Sequence, residues 1–307
     1  MNVMAKPQPE GAKGRIAALR GIVPPVAMPF DDGGHIVHGA IGEQLDMMVA
    51  SGVHGVVVGG STGEGHTLTR DEFAAVAETA HKAVAGRVPL LAGLIVNSTQ
   101  EAIERATLLR GMTIAALQIT PVHYLFKPDA EHTIEHFRAI HAACNLPILI
   151  YNVVPWNYLD VTLMLRIMRE VPGVIGMKQS AGDLKSVSDL VAGVAPGNVV
   201  FTGTDALLYP AFALGVHGAI SALTTAVPGV CVKLWNAVAA GDHKTALDLH
   251  RRLAVLWNAM PHDNLPACVK YAQHRQGLVL YPPRAPMMRV SDAQRAAIDA
   301  ALKQLPL

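Results

Sequence analysis

The stretch Val174-Ile175-Gly176-Met177-Lys178-Gln179-Ser180 decides how this chain is read. It opens as a short, continuous apolar run, the pattern of a β-strand buried on both faces. Runs of the same kind recur at residues 22–28, 55–59, 89–95, 115–120, 147–151, 199–203 and 219–222. Between them lie stretches of helical period, among them 70–85, 99–110, 130–143, 162–170 and 184–194. Eight buried strands, each followed by a helix, predict an α/β fold of the closed (β/α)8 TIM-barrel type. The competing arrangement is an open doubly wound sheet. No GxGxxG follows the first strand, where a dinucleotide-binding sheet of that kind needs it.

Past the eighth strand, 227–240, 243–260, 265–276 and 292–303 read as helices, punctuated by Pro261, Pro266, Pro282 and Pro283. The first would close the barrel and the others form a helical C-terminal extension. The expected division is a loose tail over 1–20, a barrel over 21–240 and the extension over 241–307. The 307 residues are 51% hydrophobic with a formal net charge of +1, enough for a large core and without the electrostatic footprint of a nucleic-acid or membrane-surface binder. Cys144, Cys231 and Cys268 are widely spaced and form no CxxC pair, which argues for a reducing compartment. The first fifteen residues lack the apolar core of a signal peptide, and no apolar run has the length of a membrane span. A cytoplasmic location is expected.

Lys178 ends its strand, where a charged amine is costly to bury. Desolvation favours the neutral form, which is the form that attacks a carbonyl. A lone lysine there would more often be an edge residue reaching for water. Its company argues otherwise. Tyr151 closes the preceding strand in Ile148-Leu149-Ile150-Tyr151-Asn152, and neighbouring parallel strands lie about 4.8 Å apart. Alternation places Gly176 on the Lys178 face and Leu149 on the Tyr151 face, so both functional side chains are expected inside. After the second strand comes Gly59-Gly60-Ser61-Thr62-Gly63-Glu64-Gly65, whose glycines let backbone N–H groups converge on an anion. Taken separately, Tyr151 reads as a core tyrosine and the glycine loop as an ordinary turn. Together, at the C-terminal ends of barrel strands, they describe one chemistry. Lys178 condenses with a 2-keto acid, the loop from Gly60 holds its carboxylate, and Tyr151 shuttles protons with Ser61 as hydroxyl partner.

GSTGE at 60–64, the pair Tyr151-Asn152 and GMKQSAGD at 176–183 resemble the dihydrodipicolinate synthase/N-acetylneuraminate lyase family, with likeness from GIVPPVAMPFDD at residue 21 to APMMRVSD at 285–292. The resemblance implies a class I aldolase with Lys178 as Schiff-base lysine, Tyr151 as proton relay, and Ser61 and Thr62 as carboxylate ligands. It implies Gly203 and Ile220 as walls near the keto acid, no metal or organic cofactor, and a homotetramer built from tight dimers. A tyrosine pair after strand four, one member of which crosses into the neighbouring subunit, is matched by Tyr124, with His123 in the first place.

The departures bear on substrate. Dihydrodipicolinate synthases carry an arginine five residues after the Tyr151 position, but 151–158 contains none, and Asn157 cannot supply a bidentate fork for a carboxylate. Sialic acid lyases carry an acidic pair where this chain has Asp205-Ala206. Both substrates are disfavoured, and the bulky, apolar 153–156 stretch suggests a smaller or less charged second substrate. The alternatives are a 2-keto-3-deoxy-sugar-acid dehydratase or hydroxypyrroline-carboxylate deaminase using the same lysine, and a non-catalytic regulatory paralogue. His132 and His136 have metal-ligand spacing, but no third ligand is evident and a solvated helix face is the expectation. Glu64 and Asp183 are expected to cap the structures that follow them.

Overall fold

The structure, a computed structural model, describes residues 19–122 and 124–307. The tail expected over 1–20 lies, apart from its last two residues, outside the described residues, as does His123. Eight parallel strands follow in chain order: β1 (Gly21–Ile22), β2 (Val56–Val58), β3 (Leu90–Leu94), β4 (Ala116–Ile119), β5 (Ile148–Asn152), β6 (Val174–Gln179), β7 (Val199–Thr202) and β8 (Gly218–Ala219). They pair in the order β1-β8-β7-β6-β5-β4-β3-β2. The ring closes where the segment after β1 meets β2: Val26 N–H donates to the Val57 carbonyl at 2.8 Å and Val57 N–H to that of Pro24 at 3.0 Å. The first strand is shorter than its apolar run because Pro24 and Pro25 have no N–H to give a ladder. The eighth stops at Ala219 because Ala222, expected in the strand, instead opens a helix behind Ser221.

The helices are α1 (His38–Ala50), α2 (Arg70–Val84), α3 (Thr99–Thr107), α4 (Ala130–Cys144), α5 (Val161–Glu170), α6 (Leu184–Gly193), α7 (Leu208–Ala213), α8 (Ala222–Ala226), α9 (Pro228–Ala239), α10 (His243–Asn258), α11 (Leu265–His274) and α12 (Asp292–Leu302). Each of α2 to α6 starts on a side-chain cap, from Thr69, Ser98, Asp129, Asp160 and Asp183 in turn. Two further helices carry weaker signals: α1 contains two glycines and no side-chain cap, and α7 is six residues long with Pro210 in its first turn. None of the described helices is long and apolar enough to cross a membrane.

Strand alternation sorts the core into two shells. Ile148, Ile150 and Met177 pack outward under the helices, whereas Leu149, Val199, Phe201 and Ile220 fill the barrel. The C-terminal helices dock back onto the barrel. Gln273 of α11 donates to the Thr225 carbonyl of α8 at 3.1 Å, and α12 packs on both α10 and α11. This packing brings α11 beneath the loop that follows β2.

Candidate active site

Tyr151 and Lys178 are register partners across β5 and β6, with Leu149 opposite Gly176 one layer below. Gly176 has no room for a side chain: a Cβ there would lie 2.1 Å from the Val199 carbonyl oxygen. Lys178 is 4% exposed, its Nζ stands 3.8 Å from the centroid of the Tyr151 ring, and among the described residues it forms no salt bridge. The Tyr151 hydroxyl is 3.1 Å from Ser61 Oγ. Three side chains from three strand ends thus meet at the C-terminal mouth of the barrel.

The loop after β2 is a tight turn. The Gly60 carbonyl accepts from the N–H groups of Gly63 and Gly65, both at 3.1 Å, and the Ser61 carbonyl accepts from Glu64 at 3.0 Å. The N–H groups of Ser61 and Thr62 remain uncommitted among the described residues, beside a buried Thr62 side chain. Close packing explains the glycines. A Cβ at Gly63 would come within 2.4 Å of the Val26 carbonyl oxygen, and one at Gly65 within 1.9 Å of that of Gly59. Gly203 is equally constrained, since its Cβ would fall 2.0 Å from Ser180 Oγ and 2.7 Å from Lys178 Cε. Ile220 lies fully buried in the barrel interior with Phe201.

Other expected residues are placed differently. Tyr124 stands on the rim, 66% exposed, and among the described residues forms no hydrogen bond with Tyr151, whose hydroxyl meets Ser61 Oγ instead. Asn157 is buried and its amide donates to the Val122 carbonyl, tying the loop after β5 to the loop after β4. Asp205 is buried with both carboxylate oxygens engaged by the start of α8, accepting from Leu223 N–H at 2.6 Å and Ala222 N–H at 3.2 Å. Burial raises its carboxyl above the usual range, opposed by those hydrogen bonds. The carboxylate is thus oriented toward the start of α8.

Glu64 does not cap the turn it begins. Its carboxylate bonds instead to Lys270 and to the Arg284 backbone. His132 is exposed against Asp129, while His136, expected on a solvated face, is buried with Nδ1 2.9 Å from Thr99 Oγ1. Among the described residues no group of three or more His, Cys, Asp or Glu is arranged to hold a metal. Sequence reasoning passed over Tyr158, whose phenol is pushed up first by burial and then by the neighbouring Tyr151. Its position in an irregular loop gave no periodic signal.

A family model described as the Dihydrodipicolinate synthetase family matches residues 18–305. The 4-hydroxy-tetrahydrodipicolinate synthase of Phenylobacterium zucineum is 35% identical over 292 residues, 94% of this chain and 98% of that protein. That of Exiguobacterium sibiricum is 33% identical over 280 residues, 91% and 95%. Among solved structures, dihydrodipicolinate synthase from Aquifex aeolicus superposes with a TM-score of 0.87 at 28% identity, covering 94% of this chain and 99% of that one. YagE, a prophage protein of the dihydrodipicolinic acid synthase family from Escherichia coli solved in complex with pyruvate, superposes with a TM-score of 0.88 at 25% identity, covering 93% and 98%.

Proposed function

This chain belongs to the dihydrodipicolinate synthetase family and is a class I lyase, and from that premise we propose that it acts on pyruvate or a related 2-keto acid through an imine at Lys178. The observation that carries this reading is the meeting of the Lys178 amine, the Tyr151–Ser61 hydroxyl pair and two uncommitted N–H groups in one small mouth. The amine adds to the C2 carbonyl. The carbinolamine loses water to give an iminium, and removal of a proton from C3 gives an enamine. Tyr151, held by Ser61, carries protons between the carbinolamine oxygen, C3 and solvent. The N–H groups of Ser61 and Thr62 bind the carboxylate, with the Thr62 hydroxyl beside them. Gly203 and Ile220 shape the wall behind Lys178. Adding the enamine carbon to an aldehyde forms the C–C bond, the reverse breaks it, and hydrolysis frees the lysine.

The second substrate is one without a carboxylate in need of an arginine fork. Residues 151–158 supply none, and the Asn157 amide nitrogen donates to the Val122 carbonyl. The same feature favours, as a second reading, loss of water or ammonia from C4 of a keto acid whose carbon chain stays intact, since no aldehyde clamp is then required. The expected homotetramer is supported by the rim itself, where Tyr124, Leu125, Phe126 and Trp156 are all exposed. A Tyr124 that reaches a neighbouring subunit's Tyr151 would complete the relay. Borohydride reduction in the presence of pyruvate, read by peptide mass spectrometry, tests the central step. A reduced adduct on Lys178, absent from Lys178→Ala, is expected. Failure to trap pyruvate or any longer 2-keto acid would return the chain to a binding role.

A further inference from the structure

The loop proposed to hold the carboxylate is anchored from the far end of the chain. Glu64 closes that loop with φ 54°, a left-handed conformation that is costly for a residue with a Cβ. Its side chain is 1% exposed. Oε1 accepts from Lys270 Nζ at 2.6 Å, and Oε2 from the Arg284 N–H at 2.8 Å. Lys270, on α11, is itself buried and donates also to the Pro282 carbonyl at 2.9 Å. Arg284 completes a charge-balanced cluster: its guanidinium bonds to Glu72 at 2.9 Å and lies over the Phe30 ring that the Lys270 ammonium also faces. The partners stand more than 200 residues apart in sequence.

We propose that Glu64 and Lys270 are positioning residues for the keto acid, their buried ion pair setting the backbone of the 60–63 loop so that α11 helps to build the carboxylate subsite. Glu64 N–H donates to the Ser61 carbonyl, and the Glu64 carbonyl accepts from both the N–H and the hydroxyl of Thr67 at 2.8 Å. A shift of Glu64 therefore moves the peptide that carries the uncommitted N–H groups and the hydroxyl facing Tyr151. The loop has no slack to absorb such a shift, because Gly63 and Gly65 already sit against the carbonyls of Val26 and Gly59. A buried ion pair is weak as a source of stability and costly to break, so its value lies in fixing one arrangement.

This inference rests on the proposed imine chemistry, and the test separates the two. Reductive trapping is titrated with pyruvate and with hydroxyacetone, a ketone lacking the carboxylate, on the wild type, Glu64→Gln, the double variant Glu64→Gln/Lys270→Met and Tyr271→Phe. The double variant leaves no buried charge unpaired if the single one folds poorly. Both loop variants are expected to raise the pyruvate concentration for half-maximal trapping by roughly tenfold, the size of one lost hydrogen bond to a charged group, with hydroxyacetone unchanged. Tyr271→Phe removes the hydroxyl that bonds Asp299 from the same helix, and is expected to lower Tm while keeping wild-type pyruvate trapping. Loop variants with wild-type pyruvate half-saturation, or equal losses for both ketones, would overturn the positioning role. A wild type that traps neither ketone would overturn the imine reading and this one with it.

Discussion

Lys178 and Tyr151 face each other at one register of β5 and β6, with the lysine Nζ 3.8 Å from the centre of the tyrosine ring. The amine lies against the ring face. The phenol oxygen, at the ring's far edge, is held by Ser61. Ring and hydroxyl thus have separable tasks, which mutation can tell apart.

Tyr151→Phe keeps the ring and deletes the hydroxyl. Imine trapping with pyruvate should persist, while turnover falls by about 10²- to 10⁴-fold, the usual worth of a proton-transfer group. Steady-state kinetics beside the trapped fraction measure this. Turnover equal to that of the wild type would show that the hydroxyl is not acting as the relay.

Ser61→Ala removes the partner at 3.1 Å. A neutral hydrogen bond contributes about 1 kcal/mol net, so kcat should drop by roughly fivefold to tenfold. Tm should fall by no more than about 2–4 °C. A kcat equal to that of the wild type would remove Ser61 from the relay.

Gly203→Ala places a methyl where Ser180 Oγ and Lys178 Cε already are. The Lys178 chain must give way, so trapping should be abolished while the circular dichroism spectrum is retained. Normal trapping would mean that the strand end yields instead.

Asp205→Ala strips the start of α8 of both carboxylate bonds. Loss of bonds to a buried charged acceptor is expected to destabilise the protein by about 2–4 kcal/mol, read as a lower urea midpoint at unchanged slope. An unaltered midpoint would free Asp205 for a role in the site.

His136 is buried, and desolvation lowers its pKa to about 4. Its folded value lies below the ordinary one of 6.5, so the unfolded chain binds the extra proton first. The sign follows: stability is full above about pH 6.5 and is lost as pH falls towards 4, by an amount on the order of 3 kcal/mol. Glutamine does not titrate, so the denaturation midpoint of the wild type should fall relative to that of His136→Gln as pH drops from 7 to 4. Parallel curves would contradict this.

Much of the fold is legible because strands and helices write local periodic patterns. The buried run ending in Lys178, the alternation that turns Tyr151 and Lys178 inward, and the Asp183 cap each depend on residues within a few positions. Where a local rule met a competing one, the reading failed. Pro24 and Pro25 cut the first strand short, and the end of the eighth run became α8. The candidate site was legible to the same extent: Ser61, Tyr151 and Lys178 converge, and the glycine loop carries its motif in consecutive residues.

The order of the elements, the face of each strand that turns inward and the residue types at the strand ends are all written in local sequence pattern. Which residues meet across long stretches of chain depends on how the elements pack. Glu64 looked like a cap and is instead an ion-pair partner of Lys270, 206 residues away. Asp205 looked like half of a sugar grip and accepts from the backbone at the start of α8. His136 looked solvated and is packed against Thr99. The physical reason is common to all three. A side chain's partner is set by which segments pack side by side, and a buried polar group takes whichever partner that packing supplies rather than pay the cost of having none.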